Sequence, residues 1–128
     1  DGKCFGTGNP TTEEVITTIA EASSRDVDLV VEATTRAFYN VWCHVDGREH
    51  GKLLNKLADL IEHDLDDLAA LEALDNKKVL VSLKVAELCK EAGFPKGVIN
   101  VLSDFGTTGT TMANHMNIDM ITFTGKNC

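Results

Sequence analysis

The last residues of the sequence, MITFTGKNC, have the types and order of a phosphate-binding turn. Residues 120–124 form a short apolar and β-branched run, which predicts a strand, and a glycine follows at once. A strand that runs into a glycine turn begins the phosphate-binding helix of many α/β proteins. A second glycine-containing loop, FGTTGTT, follows the apolar run GVINVLS. If both runs are neighbouring parallel strands, their carboxyl ends place residues 103–109 and 124–126 beside a ligand.

The cysteines and histidines predict neither a metal site nor a catalytic pair. The four cysteines, at positions 4, 43, 89 and 128, contain no C-x-x-C motif, so we expect free thiols. Cys89 lies in a predicted helix, where a small buried hydrophobe is the usual role of a cysteine. Cys43 stands beside His44, but adjacent residues seldom face each other on a regular element. The four histidines show no H-E-x-x-H or H-x-H spacing, so a zinc site would need residues that converge from distant parts of the sequence, and we predict no metal ligand.

The charge balance argues against some classes of partner. The sequence has 20 acidic and 12 basic residues and a formal net charge of −8, whereas nucleic acids and anionic membrane surfaces select concentrated positive charge. No apolar stretch approaches the roughly 20 residues of a membrane span, and the start DGKCFGTGNP lacks the layout of a signal peptide. We therefore expect no nucleic acid, no membrane and a cytoplasmic location.

The elements that would position these loops follow from hydrophobic patterning. The run VITTI (15–19) predicts a strand after an opening extended segment. A helix is predicted over 23–42, with Ser23 and Asp26 as a start resembling a capping box. Helical spacing of apolar residues continues over 48–75, where His63-Asp64 lies either inside one long helix or at a bend.

The second half of the sequence predicts a βαβ unit. A helix beginning near Ser82 ends at Gly93 and Pro95, a glycine-then-proline stop. A strand at 98–103, a short helix and a strand at 120–124 follow. The predicted fold class is α/β: a small, partly parallel sheet with the 23–42 and 48–75 helices packed against it. We expect a single domain over 1–128, with the N-terminal strand and helices in 1–76 and the βαβ unit in 77–128.

Four long blocks of the sequence are informative: NPTTEEVI, DVDLVVEATTRAFYNVW, GKLLNKLADLIEHDLDDLAALEALDN and AELCKEAGFPKGVINVLSDFGTTGTTMANHMNIDMITFTG. In this order they closely resemble NAD(P)-dependent aldehyde dehydrogenases. The resemblance implies a partial Rossmann-like parallel sheet with a cofactor-domain remnant in 77–128, NAD or NADP as cofactor and oxidation of aldehydes to carboxylic acids. It also implies cofactor contacts at residues that match the family's glycine loop and phosphate turn: Gly106, Gly109, Thr124, Gly125 and, where the family has a serine, Lys126.

The resemblance also implies what the sequence lacks. A long segment that contributes sheet strands and the oxyanion-stabilising asparagine in the family is reduced here to residues 77–84. The family's catalytic cysteine and glutamate lie beyond the FTG strand, so neither can be assigned to a residue of this sequence. We expect a truncated, non-catalytic member that binds the cofactor weakly. The alternatives are a non-catalytic binding or interaction protein derived from the family, and an incompletely read chain of a full-length oxidoreductase.

The role of Lys84 and the identity of the partners stay open at this point. Lys84 and Glu87 match either the family's ribose-contacting lysine and glutamate or the helix that continues into ELCKEAGF. We favour the helix, because LKVAELCKEAGF contains no turn signal. Because lost strands would leave sheet edges open, we expect a homo-oligomer or association with related chains.

Overall fold

The computed structural model describes residues 2–9, 12–74, 79–104 and 106–122. It contains both strands and helices, which confirms the predicted α/β class. The elements in chain order are β1 (Cys4–Gly8), β2 (Val15–Ala20), α1 (Ser24–Asn40), a short 3-10 turn (Trp42–His44), α2 (Gly47–His63), α3 (Leu65–Leu74), α4 (Val79–Ala92) and α5 (Thr107–Ala113). The division of the domain into 1–76 and 77–128 stays a prediction.

The two strands form an antiparallel hairpin. Phe5 lies opposite Ile19, and the register shifts between Thr7 and Gly8. Phe5 and Thr7 are buried while Cys4 and Gly6 are exposed, so only one face of this strand packs against the rest of the chain. The predicted strand at VITTI is confirmed, but β2 is almost entirely exposed.

Helix α1 begins as its sequence predicts. The Asp26 carboxylate accepts hydrogen bonds of 2.7 Å from both the N–H and the hydroxyl of Ser23, which holds the pKa of Asp26 below its ordinary value. Val27 and Ala37 on this helix are buried. Gly97 packs against the same face with φ +89°, and its backbone approaches Ala33 and Ala37 so closely that a side chain would collide there.

A bend divides the predicted 48–75 helix in two. Helix α2 starts at Asp46, whose side chain accepts hydrogen bonds from the backbone of Arg48 and Glu49, and it ends at Asp64, between α2 and α3. The Asp64 carboxylate accepts hydrogen bonds from His63, at the end of α2, and from Lys84 on α4. Of the two interpretations of His63-Asp64, the bend is therefore correct.

Helix α4 contributes buried residues to the core, and an aromatic stack lies next to it. Leu88, Cys89 and Ala92 on α4 are buried, which agrees with the structural role predicted for Cys89. The helix begins at Val79, earlier than the predicted start near Ser82, and ends at Gly93 with φ +102° as predicted. Beyond it, the ring of Trp42 stacks on His50 at a centroid distance of 4.2 Å and on Phe94 at 5.8 Å.

The described residues do not form the predicted parallel βαβ unit. Residues 98–103 contain no strand, although the N–H of Ala22 donates a 2.8 Å hydrogen bond to the carbonyl of Ser103. Residues 120–122 contain none either, and the rest of the predicted strand at 120–124 lies outside the described residues. The described sheet is therefore the antiparallel hairpin alone. A parallel strand is stable only between paired neighbours with both faces covered, and these segments lack such neighbours in the described structure.

Candidate functional site

The glycine loop before α5 is organised by an acidic side chain. The Asp104 carboxylate accepts hydrogen bonds from the N–H of Gly106 at 3.2 Å, from the hydroxyl of Thr107 at 2.8 Å and from the N–H of Thr108. Gly106 has φ +125°, a conformation that favours glycine, and it lets the chain turn back toward this carboxylate. We call residues 104 and 106–109 the α5 entrance.

The α5 entrance is fixed to the start of α1. Thr108 is buried, and its hydroxyl donates to the carbonyl of Ala22 at 3.3 Å. One turn later the hydroxyls of Thr111 and Ser24 lie 3.2 Å apart. Together with the bond from Ala22 to Ser103, these contacts attach both sides of the loop to the end of the hairpin and to α1.

The electrostatics of the α5 entrance do not favour a phosphate. The backbone N–H groups at the start of a helix are the usual donors to an anion, and here Asp104 already accepts from two of them. A phosphate at the same place would meet a carboxylate of its own sign. Gly106 and Gly109 lie close together on an exposed surface, and no atom lies within 4 Å of the position that a Cβ would take at either residue. The surface is accessible, but two of its N–H donors already bond to Asp104.

Lys84 belongs to a different neighbourhood. It lies on α4, as the favoured interpretation of LKVAELCKEAGF predicts, and its Nζ is 2.8 Å from Oδ2 of Asp64 at the bend between α2 and α3. This bond raises the pKa of Lys84 and lowers that of Asp64. His63 Nδ1 lies 2.7 Å from the other oxygen of the same carboxylate. Helix α5 instead packs on α1, so the described contacts do not bring Lys84 to Gly106 or Gly109.

The remaining predicted cofactor residues are those of the phosphate turn. Thr124, Gly125 and Lys126 lie outside the described residues, so their role stays a prediction. The predicted contacts of Gly106, Gly109 and Lys84 with a nucleotide also stay predictions.

The thiols of the described residues show no activation. Cys89 is buried, and burial raises the pKa of its thiol, which disfavours the nucleophilic thiolate. The thiol of Cys43 donates to the carbonyl of Tyr39 at 3.5 Å, and that of Cys4 to the carbonyl of Gly2 at 3.9 Å. These partners are hydrogen-bond acceptors but not bases, so no described thiol has the general base that nucleophilic catalysis requires.

Sequence reasoning missed two acidic residues that organise the structure. Asp104 has a local signal, because an aspartate shortly before Gly-Thr-Thr is able to accept from the first N–H groups of a helix. Asp64 has no such signal for its pairing with Lys84, since the lysine lies on a helix further along the chain.

Two further properties concern metals and membranes. Within residues 2–9, 12–74, 79–104 and 106–122, no group of three or more histidine, cysteine, aspartate or glutamate side chains is arranged to hold a metal ion. In the same part of the chain, no helix has the length and apolar character needed to cross a membrane.

The chain matches a known family along nearly its whole length. The family model described as "Aldehyde dehydrogenase family" matches twice, over residues 1–82 and 75–127. The two matches meet at residues 75–82, which indicates that two parts of the family's sequence, separate in other members, are joined there.

Curated relatives show the same pattern. An "Aldehyde dehydrogenase" of Emericella nidulans is 32% identical over 211 aligned positions that cover 98% of this chain and 42% of the relative. An "Aldehyde dehydrogenase, mitochondrial" of Homo sapiens is 30% identical over 212 positions, covering 97% of this chain and 41% of the relative. Since 211 positions exceed the 128 residues of this chain, the relatives carry residues inside the aligned region that this chain lacks.

Solved structures share the fold of the chain. The "NAD+ complex structure of aldehyde dehydrogenase" from Bacillus cereus superposes with a TM-score of 0.89 at 27% identity, over 92% of this chain and 42% of that one. The structure of PnpE from Pseudomonas sp. WBC-3 gives a TM-score of 0.84 at 26% identity. The described fold thus corresponds to less than half of each larger protein.

Proposed function

The chain belongs to the aldehyde dehydrogenase family, and from this premise we propose that a polypeptide of these 128 residues does not itself oxidise aldehydes but acts as a binding unit for related chains. The observation that carries the first part is the state of the thiols. Cys89 is buried with a raised pKa, and Cys4 and Cys43 donate to backbone carbonyls. The covalent intermediate of the family's reaction requires an activated nucleophile, and the contacts of these three described thiols do not provide one.

Cofactor binding is proposed to be weak. Membership of the family suggests NAD or NADP as the nucleotide, and the Bacillus cereus structure is a complex with NAD+. In this chain, however, Asp104 accepts from the donors of the α5 entrance and Lys84 is paired with Asp64. We expect a millimolar or weaker dissociation constant, which corresponds to only about 4 kcal/mol of binding free energy. Lys126 would supply most of the remaining attraction to phosphate, as a flexible charge that salt partly screens.

Titration of the 128-residue polypeptide with NAD and with AMP, by calorimetry or NMR, tests this proposal. Lys126→Ala should weaken the residual binding, whereas Lys84→Met should leave it unchanged because its ammonium group is held at the bend. Micromolar binding of either nucleotide would contradict the proposal. Micromolar binding that is lost in Lys84→Met would show, in addition, that Lys84 leaves Asp64 to contact the nucleotide.

Association with related chains is the second part of the proposal. Two apolar residues of β2 are exposed, Val15 at 68% and Ile16 at 39%, and the described sheet contains only the two strands of the hairpin. A sheet of two strands is marginally stable by itself, and exposed apolar residues on it favour contact with another chain. We propose a homo-oligomer or a complex with a related aldehyde dehydrogenase, in the cytoplasm.

A second candidate function rests on the coverage of the relatives. Because the chain spans only 42% of the Emericella nidulans relative, these residues would be part of an active NAD(P)-dependent enzyme if the full polypeptide also contains the segment missing after Asn76 and the part that follows Cys128. An intact-mass measurement on the natural protein separates the two candidates. A mass of 13.9 kDa supports the binding unit, and a mass several times larger supports the enzyme.

A further inference from the structure

An apolar groove of about 520 Å³ lies between the end of the hairpin, α1, α4 and residues 101–103. Its volume is within the range of ordinary ligand sites, but its lining is largely aliphatic. The apolar residues that line it are Ile19, Leu29, Val30, Leu83, Val101 and Leu102. Leu29 is 52% exposed and Leu83 is 38% exposed, so the described residues leave large side chains on this surface uncovered.

One wall of the groove has an unpaired backbone. Among the residues that the structure describes, the main chain from Ile99 to Leu102 makes no hydrogen bond, whereas the carbonyl of Ser103 accepts from Ala22 at 2.8 Å. The sequence of this wall, VINVLS, is rich in β-branched residues, which favour a strand. Unpaired N–H and C=O groups along such a run are a template for another strand, and side chains from that strand would fill the groove.

The comparisons indicate which segment fits there. The relatives carry residues that this chain lacks, and the two family matches meet at residues 75–82. Leu83, the next residue along the chain, lines the groove. In a relative, one end of the additional segment is therefore joined to the rest of the chain beside the same groove.

We propose that this groove binds an extended, alternately apolar strand supplied by another chain of the aldehyde dehydrogenase family, with the sequence of the segment that relatives carry at the 75–82 junction. The strand pairs with the backbone of residues 99–102 and places its apolar side chains against Leu29 and Leu83. This inference rests on the association part of the proposed function and names its surface and its partner.

The probe is a set of overlapping fluorescein-labelled peptides that cover this segment of the Homo sapiens relative, titrated with the 128-residue polypeptide and followed by anisotropy. We expect one peptide to bind with a micromolar Kd and its scrambled version not to bind. N-methylation of alternate backbone nitrogens on that peptide should abolish binding, because it removes main-chain donors while leaving the side chains in place.

The protein variants locate the site. Leu29→Asp should weaken binding about tenfold or more, equivalent to about 1.4 kcal/mol. Leu54→Asp is the matched control, since Leu54 is 59% exposed on α2 and lies outside the groove. Circular dichroism establishes that both variants are folded. If Leu29→Asp does not fold, Leu83→Asn makes the same test from the α4 side of the groove.

Several results would overturn the inference. They are the absence of peptide binding at millimolar concentration, equal weakening by Leu29→Asp and Leu54→Asp, and unchanged binding of the N-methylated peptide. Dimerisation of the polypeptide that Leu29→Asp abolishes would show that the occupant is a second copy instead. Co-sedimentation with the full-length Emericella nidulans relative separates this inference from the proposed association. If the relative binds but the peptides do not, the strand site in the groove is contradicted and the association is kept. If neither the relative nor any peptide binds, both proposals are contradicted.

Discussion

Lys84 Nζ lies 2.8 Å from Oδ2 of Asp64 and joins α4 to the bend between α2 and α3. The pair is partly buried, with the Asp64 side chain 18% exposed. His63 Nδ1 completes the arrangement at 2.7 Å from Oδ1 of the same carboxylate. Because this carboxylate has a partner on each oxygen, a small charge network holds the bend and pairs the ammonium group of Lys84.

We expect this network to make the free energy of unfolding depend on pH. The hydrogen bond from Lys84 and then that from His63 lower the pKa of Asp64 from an ordinary value of 3.8. A lowered folded-state pKa contributes stability above the unfolded value, and this contribution is lost as the pH falls through the folded-state value. Asp64→Asn should therefore lower the urea midpoint at pH 7, and this difference should shrink as the pH is lowered below 3.8. Asp59→Asn, at an exposed aspartate on α2, is the control and should not change the urea midpoint at any of these pH values.

The histidine of the network should titrate in the opposite sense. Asp64 raises the pKa of His63 above its ordinary value of 6.5, mainly through their hydrogen bond. The stability from this contact is present below the unfolded-state value and is lost as the pH rises through the folded-state value. NMR titration of the imidazole should show its pKa falling in Asp64→Asn. A pKa of His63 that is the same in both proteins would contradict the contact.

Substitution by alanine should have opposite effects on stability at Gly97 and Gly51. At Gly97 a Cβ would lie 3.0 Å from the carbonyl oxygen of Ala33, and φ is +89°, so Gly97→Ala should destabilise the fold by about 1–3 kcal/mol. At Gly51, inside α2, no atom lies within 4 Å of that position, and Gly51→Ala should stabilise by about 0.5–1 kcal/mol. Urea unfolding of both variants measures the difference. Equal effects would mean that α1 does not pack on Gly97 as described.

The Asp104 carboxylate should stabilise the start of α5. Asp104→Ala removes the acceptor for Gly106, Thr107 and Thr108, and we expect a loss of about 0.5–2 kcal/mol, as for other helix caps. Asp104→Asn keeps an acceptor oxygen and should lose less. Amide hydrogen exchange in residues 107–113 reports the effect locally. Protection in Asp104→Ala that matches the unsubstituted protein would show that this carboxylate is not the cap.

Local signals in the sequence predicted local structure well. Ser23 and Asp26 predicted the start of α1, and the glycine and proline after Ala92 predicted the end of α4, because capping depends on residues a few positions apart. The strand predicted at 98–103 is absent from the described sheet, since a strand depends on partners elsewhere in the chain and its own composition cannot supply them.

The candidate site was less predictable for the same reason. Gly106 and Gly109 were recognised by residue type, but the Asp104 carboxylate that accepts from the neighbouring N–H groups was not. The N–H groups at the start of a helix bond either to a ligand or to a side chain of the same chain, and the sequence does not show which of the two is present. Lys84 was placed on its helix by the absence of a turn signal. Its pairing with Asp64 required the packing of α4 against α2 and α3, which the sequence alone does not specify.

The most direct test of the proposed function is an assay of NAD(P)H formation from a panel of aldehydes, using the homogeneous 128-residue polypeptide with its mass verified as 13.9 kDa. The Emericella nidulans relative serves as the active control. We expect no turnover above the rate without protein, with either NAD or NADP, because no described thiol has a base and two N–H donors of the α5 entrance are bonded to Asp104. Turnover that a thiol reagent abolishes would contradict this account, and single substitutions of Cys43 and Cys128 by serine would then identify the nucleophile.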